Sequence, residues 1–285
     1  MDQVFSDVAG SVEQVDELRR ALADRVGKLR TNLTLGPGRI SCAIERGMVR
    51  YEARPESLLV FKDEGAFELV YYYLAECEAF PRMTWEKPVV IEEIDQGGVN
   101  TAWREAFARA LRDRGWRLAA ANLQVAMDLS EGEGEIDALL ERSSATLRER
   151  GLSFEECGTE RADEVVALWR EHLKATDVPA DHFGFAGDAS QNVVCVVDGE
   201  GSLCGVNWWR CAGRTCEVRH TVTAPDRQRQ GIGLAMLAYT LDAARRAGCT
   251  RAYTYIDEEN TRSLALYGKC GFSENGRSAR QYVLD

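Results

Sequence analysis

The chain has 285 residues, a formal net charge of −11 and 45% hydrophobic residues. This length allows one large domain or two ordinary ones, and the composition supplies enough apolar residues for sizeable cores. The sequence is acidic overall and contains no cluster of basic residues, which argues against a nucleic-acid partner. No apolar run is long enough to span a membrane, and the first residues are acidic. We therefore expect neither a membrane segment nor a signal peptide, and a cytoplasmic location.

A helix and a series of strands are predicted in the first half of the chain. Apolar residues recur with three-and-four spacing from Val12 to Leu29, which predicts an amphipathic opening helix. Strand-like runs follow at residues 39–44, 48–53, 57–61, 66–74 and 87–94. Residues 45–47 and 62–65 are the predicted hairpin loops. Residues 100–114 then form a predicted helix, and residues 118–129 form a strand.

A linker is predicted near the middle of the chain. Residues 130–135, with the sequence SEGEGE, are charged and flexible, as linkers are. A connecting helix is expected after them. The predicted domains are therefore residues 1–130, a linker with a connecting helix at 131–150, and residues 151–285.

The second half alternates strands and helices. We expect a strand at 152–157, a helix at 160–174, and a loop or irregular helix at 175–190. A three-strand meander follows at residues 192–197, 202–210 and 215–223. Further on, the sequence predicts a helix at 234–247, a strand at 250–256 and a helix that begins at Asn260. The expected fold is α/β, with a mixed, mostly antiparallel sheet flanked by helices.

A glycine-containing turn joins the third strand of the meander to the following helix. Its sequence is Gln228-Arg229-Gln230-Gly231-Ile232-Gly233. Glycines let a backbone approach a phosphate closely, and the first N–H groups of a helix are unpaired and partly positive. The turn lacks the third glycine of a dinucleotide-binding motif and the lysine of a P-loop. It resembles the pyrophosphate-binding motif of the GNAT superfamily of N-acetyltransferases.

A second motif supports the same resemblance. Asn260 is followed by Tyr267 and then by Gly271-Phe272, which is similar to the next GNAT signature in its order and spacing. The resemblance covers about residues 150–285. It implies a GNAT-like fold that binds acetyl-CoA and transfers the acetyl group to a primary amine by direct attack in a ternary complex. The acceptor would be a small molecule or a peptide.

The resemblance also implies roles for particular residues. Tyr267 would donate a proton to the leaving sulfur, although it could instead pack against Phe272. The expected acetyl-CoA contacts are Thr221, Val222, Thr223, Gln228, Arg229, Gln230, Gly231, Ile232, Gly233, Leu234 and Asn260. Arg227 would add positive charge near the phosphates.

Two residues are candidates for the general base. Glu217 lies 11 residues before Gln228, which matches the position of the base glutamate in histone-type GNAT enzymes. His220 is the alternative, because its intrinsic pKa is near neutral. Strand alternation predicts that these two side chains lie on opposite faces unless a bulge intervenes. Another GNAT branch has a glutamate five residues before the Asn, but here that position is Tyr255.

Cysteines and tryptophans have structural and functional interpretations. Cys195, Cys204, Cys211 and Cys216 cluster in the sequence, but their spacing does not match a zinc motif. We expect buried, reduced thiols and no metal. Trp208 and Trp209 are adjacent on a strand, so they face opposite ways. Core packing is expected for them, with an acceptor-binding aromatic wall as the alternative.

The first half repeats the pattern of the second in degenerate form. Gly115-Trp116 closes one helix as Gly271-Phe272 closes the other. The segment after strand 66–74 has no glycine and contains Glu76 and Glu78, which would repel a pyrophosphate. The first module should therefore not bind CoA in the usual way. The tandem layout resembles the mycothiol synthase family, so an acyltransferase of that type is an alternative, as is a non-catalytic CoA-binding module.

Overall fold

The computed structural model describes residues 5–32, 38–82, 85–95, 97–98, 101–130, 133–173 and 191–285. In chain order the strands are β1 (Phe5–Val8), β2 (Arg30–Thr31), β3 (Val49–Ala53), β4 (Ser57–Asp63), β5 (Glu68–Leu74), β6 (Val89–Asp95), β7 (Arg117–Asp128), β8 (Ser153–Glu156), β9 (Gln191–Val197), β10 (Leu203–Ala212), β11 (Thr215–Thr223), β12 (Arg251–Asp257) and β13 (Ser273–Leu284). The helices are α1 (Val12–Val26), α2 (Gly38–Glu45), α3 (Thr101–Arg112), α4 (Glu133–Glu149), α5 (Ala162–His172), α6 (Ile232–Arg246) and α7 (Thr261–Lys269).

The chain forms two compact units. Unit 1 consists of Met1–Ala121 together with Ser278–Asp285, and unit 2 consists of Asn122–Arg277. This division differs from the predicted domains because its boundaries fall inside β7 and inside β13. Helix α4 begins at Glu133, so residues 133–135 of the predicted linker are helical instead of flexible. The helix belongs to unit 2, where Ile136 and Leu147 are buried in clusters that include residues of α6.

The sheet of unit 1 takes its last strand from the end of the chain. Its order is β1-β3-β4-β5-β6 followed by β13, with β2 paired to β5. Strands β5 and β6 are parallel, whereas β13 runs antiparallel to β6, from the pair Ser278↔Asp95 to the pair Leu284↔Val89. The predicted strands at 48–53, 57–61, 66–74 and 87–94 are all present as β3 to β6.

One predicted strand is wrong, because residues 39–44 lie in helix α2. Ile40, Ala43 and Ile44 are three and four residues apart, so a helix places all three on one face. That face packs into a cluster with Val15 and Leu22 of α1. The predicted hairpin loop at 45–47 is accordingly the turn from a helix into a strand.

The sheet of unit 2 has the order β7-β12-β11-β10-β9-β8, with only β11 and β12 parallel. Helices α4 and α6 cover one face, around Leu237 and Leu241 of α6. Helix α5 covers the other face with Val165 and Trp169. The mixed, mostly antiparallel sheet with helices on both faces and the predicted meander are thus confirmed. Residues 175–190, predicted as a loop or irregular helix, lie outside the described residues.

No described helix combines the length and the apolar character that crossing a bilayer requires.

Candidate active site

Strand β11 contains a β-bulge. Its register against β10 skips one residue, Arg219. The inserted residue reverses the alternation of side chains along the strand, so Val218 packs with residues of α6 while Val222 packs with residues of α5. Glu217 and His220 consequently lie on the same face. Regular alternation predicted opposite faces for them, and the bulge is the reason for the difference.

The two tryptophans of β10 are both buried. Trp208 is 6% exposed and Trp209 is 4% exposed. Trp209 packs in the cluster that contains residues of α6, whereas Trp208 stacks on Trp169 of α5, with 5.3 Å between ring centroids. The ring of His220 also lies 5.3 Å from that of Trp208. Trp208 therefore packs in the core and also forms a wall beside His220.

The parallel strands β11 and β12 separate part-way along their length. Their register runs from Thr215↔Arg251 to Glu217↔Tyr253 and ends there. Both strands continue, and each keeps its other neighbour, as the pairs Thr223↔Gly205 of β11 with β10 and Asp257↔Asn122 of β12 with β7 show. The fold thus creates an opening between two strands whose outer sides are paired.

A turn with two left-handed residues leads into α6. Gly231, the residue that precedes the helix, has φ 87°, and Arg229 has φ 62°, the only positive φ among the described non-glycine residues. Left-handed residues in such turns orient successive backbone N–H groups toward one side, which makes a concave anion site. The first N–H groups of α6 extend this site, because no intrahelical acceptor is available to them.

Two further glycines allow the start of α6 to pack closely. A Cβ atom on Gly233 would lie 3.1 Å from Cδ2 of Leu266, and one on Gly205 would lie 2.7 Å from Cγ2 of Ile232. Gly205 belongs to β10 and was not predicted as a functional residue. A single glycine inside a strand pattern is the sequence signal that could have identified it.

Arginine side chains surround this turn. Arg229 is exposed, and Arg262 of α7 donates a 2.7 Å hydrogen bond from Nη1 to Oε1 of Gln228. Arg227 is held by Asp198, with 2.8 Å between Nη2 and Oδ2. Arg262 is a further candidate for a phosphate contact that sequence reasoning missed, because only the fold brings α7 beside the turn.

Tyr267 lies where β11 and β12 separate. Its side chain is buried, with 5% exposure, and its phenol oxygen is 3.0 Å from the Oγ1 atom of Thr221. Burial raises the pKa of Tyr267 to about 12, so the phenol is protonated at neutral pH. Its ring also packs edge-on against Phe272 at 5.0 Å. The two predicted interpretations, packing and proton donation, are compatible.

Other predicted residues lie at the start of α7 and along the last part of β11. Asn260 caps α7, and its Oδ1 atom accepts a 3.0 Å hydrogen bond from the N–H of Ser263. Thr221, Val222 and Thr223 occupy the part of β11 beyond its ladder with β12.

The carboxylate of Glu217 is partly buried. One of its oxygens lies 3.8 Å from Nη1 of Arg219, and its side chain is 18% exposed. It lies at the last ladder pair between β11 and β12.

The family model that matches the chain is the acetyltransferase (GNAT) family, over residues 154–272. This part of the chain is a GNAT acetyltransferase domain. The matched range runs from β8 to the Gly271-Phe272 motif and includes the turn at Gly231 and Tyr267.

Relatives of the GNAT domain include mycothiol acetyltransferases. The chain is 35% identical over 77 residues to one from Clavibacter sepedonicus and 34% identical over 77 residues to one from Beutenbergia cavernae. Each alignment covers 27% of this chain, and 25% and 26% of the respective relative. The chain thus matches about a quarter of the length of these relatives.

Solved structures show the fold over the whole chain. A tandem GNAT protein from the clavulanic acid biosynthesis pathway, solved without AcCoA, matches with a TM-score of 0.59 and 13% identity over 99% of this chain and 98% of its own. A GCN5-related N-acetyltransferase from Sphaerobacter thermophilus matches with a TM-score of 0.55 and 12% identity over 99% of this chain and 95% of its own. The fold is therefore a tandem GNAT fold.

Unit 1 differs from the GNAT domain at the corresponding opening. Strands β5 and β6 also stop pairing part-way, after Val70↔Ile91. The side chain of Asn32 bridges them there. Its Nδ2 atom donates to the carbonyl oxygens of Val70 (3.0 Å) and Glu92 (3.2 Å), and its Oδ1 atom accepts from the N–H of Tyr72 (2.9 Å). The side chain of Asn32 thus forms hydrogen bonds with the backbone groups that line this opening.

Unit 1 also differs in the connection that follows its first parallel strand. In the GNAT domain, α6 lies between β11 and β12, but the only helical turn described between β5 and β6 is the short 3-10 turn Cys77–Ala79. The described part of this segment offers no α-helix N-terminus to an anion.

The cysteines do not assemble a metal site within the described part of the chain, where no three His, Cys, Asp or Glu side chains come together suitably. Cys195, Cys204 and Cys216 are buried free thiols, and Cys211 is partly buried. Cys211 and Cys216 are cross-strand neighbours on β10 and β11.

Proposed function

We propose that the GNAT domain binds acetyl-CoA and catalyses transfer of its acetyl group to a primary amine in a ternary complex. The observation that carries the proposal is the turn with left-handed residues Arg229 and Gly231, which leads directly into the N-terminus of α6. The same domain contains the point where β11 and β12 separate and the buried Tyr267. Glycine geometry, free helix N–H groups and arginines fit a diphosphate ester.

Glu217 is the proposed acceptor of the amine proton. A lysine-type ammonium has a pKa of about 10.4, so deprotonation at neutral pH costs roughly 4 to 5 kcal/mol, and a base must take the proton. Glu217 lies where the ladder between the strands ends. His220 is the second candidate, because the bulge brings it to the same face as Glu217.

Tyr267 is the proposed donor to the departing sulfur. With its pKa raised to about 12 by burial, the phenol carries its proton at neutral pH and can release it to a thiolate. Phosphate contacts are proposed for the predicted turn residues and for Arg262. Backbone groups of Thr221, Val222 and Thr223 would pair with the pantetheine arm, extending the strand ladder.

Unit 1 is proposed as a partner domain that does not bind CoA in the usual way. Among its described elements no α-helix lies between β5 and β6 to bind a phosphate, and Asn32 bridges its strand opening. The proposed stoichiometry is therefore one CoA per chain.

A second candidate concerns the acceptor. The relatives of the domain are mycothiol acetyltransferases, at 35% identity over 77 residues. The acceptor of a mycothiol acetyltransferase is accordingly the first to test. Polyamines, aminoglycosides, amino acids and peptide N-termini complete the panel.

Two measurements on the full chain test the proposal. Calorimetry with CoA should give one site per chain, and incubation of acetyl-CoA with the acceptor panel should release free thiol with at least one amine. Tyr267→Phe should slow that release at least tenfold and leave CoA affinity unchanged. Binding without thiol release on any acceptor would support a non-catalytic module instead. Folded protein that ignores millimolar CoA would overturn the proposal altogether.

A further inference from the structure

A chain of hydrogen-bonded polar side chains, of which Thr221 is half-buried, connects Tyr267 to helix α6. Nδ2 of Asn207 donates to Oγ1 of Thr240 at 2.5 Å, and Oγ1 of Thr221 donates to Oδ1 of Asn207 at 2.6 Å. Oγ1 of Thr221 is also 3.0 Å from the phenol oxygen of Tyr267. Asn207 and Thr240 are completely buried. Burying a polar group without a hydrogen bond lowers the stability of the fold. Each of these hydrogen bonds is therefore needed to offset the burial of Asn207 and Thr240.

The direction of each hydrogen bond follows from the number of protons available. A threonine hydroxyl has one proton, and Thr221 gives it to Asn207. Its contact with Tyr267 must therefore be a hydrogen bond that the phenol donates. Asn207 keeps its carbonyl oxygen toward Thr221 because its amide nitrogen donates to Thr240.

We propose that Thr221 and Asn207 are positioning residues that control the proton of Tyr267. The inference rests on the proposed function, in which the O–H bond of Tyr267 breaks, an S–H bond forms and the negative charge passes from sulfur to the phenol oxygen. Thr221 can then turn its hydroxyl proton from Asn207 to that oxygen. Asn207 competes for the same proton, and thereby holds the resting state with the phenol proton in place.

Two substitutions separate this role from a merely structural one. Thr221→Val removes a donor to the phenolate. A charge-assisted hydrogen bond is stronger than the neutral one lost with it, so the pKa of the phenol should rise. Asn207→Leu removes the competitor for the Thr221 proton, so the pKa of the phenol should fall. Each shift should be about half to one pH unit, the size expected for one hydrogen bond. A general loosening of the core would shift the pKa of the Tyr267 phenol in the same direction in both variants.

The titration can be followed without substrate. The 285-residue chain labelled with 3-fluorotyrosine has nine tyrosine positions, and Tyr267→Phe identifies the resonance by its absence from the 19F spectrum. The fluorinated phenol is more acidic than tyrosine, which brings its titration toward pH values at which the protein stays folded. The other groups that influence this phenol are Thr254 on β12, Cys216 on β11 and Cys270 after α7, and all remain unchanged in both variants.

Thr221→Ser is the matched control, because it keeps the hydroxyl and should restore the wild-type titration. In turnover, Thr221→Val should lower kcat about tenfold with an unchanged KM for acetyl-CoA, and the serine variant should recover most of the rate. If Asn207→Leu does not fold, Asn207→Ala takes its place. An unchanged or lowered pKa in Thr221→Val would overturn the proposal. Failure of acetyl transfer with the two opposite shifts intact would instead count against the proposed function alone.

Discussion

A Cβ atom on Gly205 would lie 2.7 Å from the Cγ2 atom of Ile232, closer than side chains pack. Ile232 is the first residue of α6 and is 1% exposed. The same Cβ atom would lie 3.2 Å from the carbonyl oxygen of Val222. Because Gly205 has no side chain, the start of α6 can approach the sheet this closely.

Gly205→Ala should displace the first turn of α6 and weaken CoA binding at least tenfold. Overpacking of this kind typically costs about 1 to 3 kcal/mol of stability, so the melting temperature should fall as well. Gly199→Ala is the matched control, because no atom lies within 4 Å of its Cβ position. Calorimetry with CoA and thermal melting measure the two effects, and equal affinity in both variants would contradict the role of Gly205.

The local part of the site could be predicted from the sequence, whereas its long-range part could not. The turn at Gly231 and the helix capped by Asn260 depend on neighbouring residues, and their elements are present as predicted. The contact of Gly205 with α6 joins elements distant in sequence. The bulge at Arg219 depends on strand pairing, so regular alternation placed His220 on the wrong face.

Gly231→Asp should abolish measurable CoA binding, whereas Gly231→Asn should retain much of it. Gly231 has φ 87°, and both Asn and Asp adopt left-handed conformations more readily than other residues. The two variants share size and backbone strain and differ mainly in charge, which only the aspartate places beside the proposed diphosphate. Calorimetry over a range of salt concentrations checks this, because screening should partly rescue the aspartate variant. Similar affinities for both variants would show that no anion binds at the turn.

Glu217→Gln and His220→Asn discriminate the two candidate bases. If Glu217 accepts the proton, its glutamine variant should lose about 100-fold in kcat at neutral pH, within the usual range for general-base catalysis. The loss should shrink at high pH, where the amine is deprotonated in solution. In that case His220→Asn should change kcat much less, because the ring of His220 packs against Trp208 and Trp169 without taking the proton. The reverse ranking in pH–rate profiles would transfer the role to His220.

Tertiary context also limits what sequence reasoning could say of unit 1. Ile40, Ala43 and Ile44 suit a strand by composition, but α1 provides the surface that makes their helical face favourable. The place of β13 beside β6 in unit 1 is similarly hidden, because no local feature of residues 273–284 indicates which unit they join. Only pairing partners such as Asp95 and Ser278 reveal the arrangement.

The stability of unit 1 should fall as pH rises toward neutrality because of Glu93. This carboxyl is 6% exposed and hydrogen-bonded by the phenol of Tyr72. Burial raises its pKa from 4.5 to about 7, while the bond from Tyr72 and the charge of Arg104 oppose the shift. The folded state then retains a proton that the unfolded state releases, so this contribution is complete below pH 4.5 and is lost as pH rises to about 7.

Glu93→Gln should therefore raise the melting temperature at pH 8 relative to the wild type and have little effect at pH 4.5. The loss in the wild type is at most about 3 kcal/mol, from the pKa difference. Glu105→Gln, an exposed position on α3, is the control and should leave the pH dependence unchanged. Parallel melting curves for wild type and Glu93→Gln between pH 4.5 and 8 would exclude this role for Glu93.

Removal of the last eight residues should unfold unit 1, although they follow the GNAT domain in the sequence. Ser278–Asp285 pairs with β6, and its Tyr282 and Val283 are 3% and 0% exposed in clusters of unit 1. Their loss would leave β6 without this partner and expose the aromatic cluster around Phe107. Deletion of Asp285 alone is the control, because this residue makes only an exposed ion pair with Arg117. Limited proteolysis should then cut the longer truncation within residues 5–121 and spare the shorter one. Equal protection of that region in both would mean that unit 1 is complete without the end of the chain.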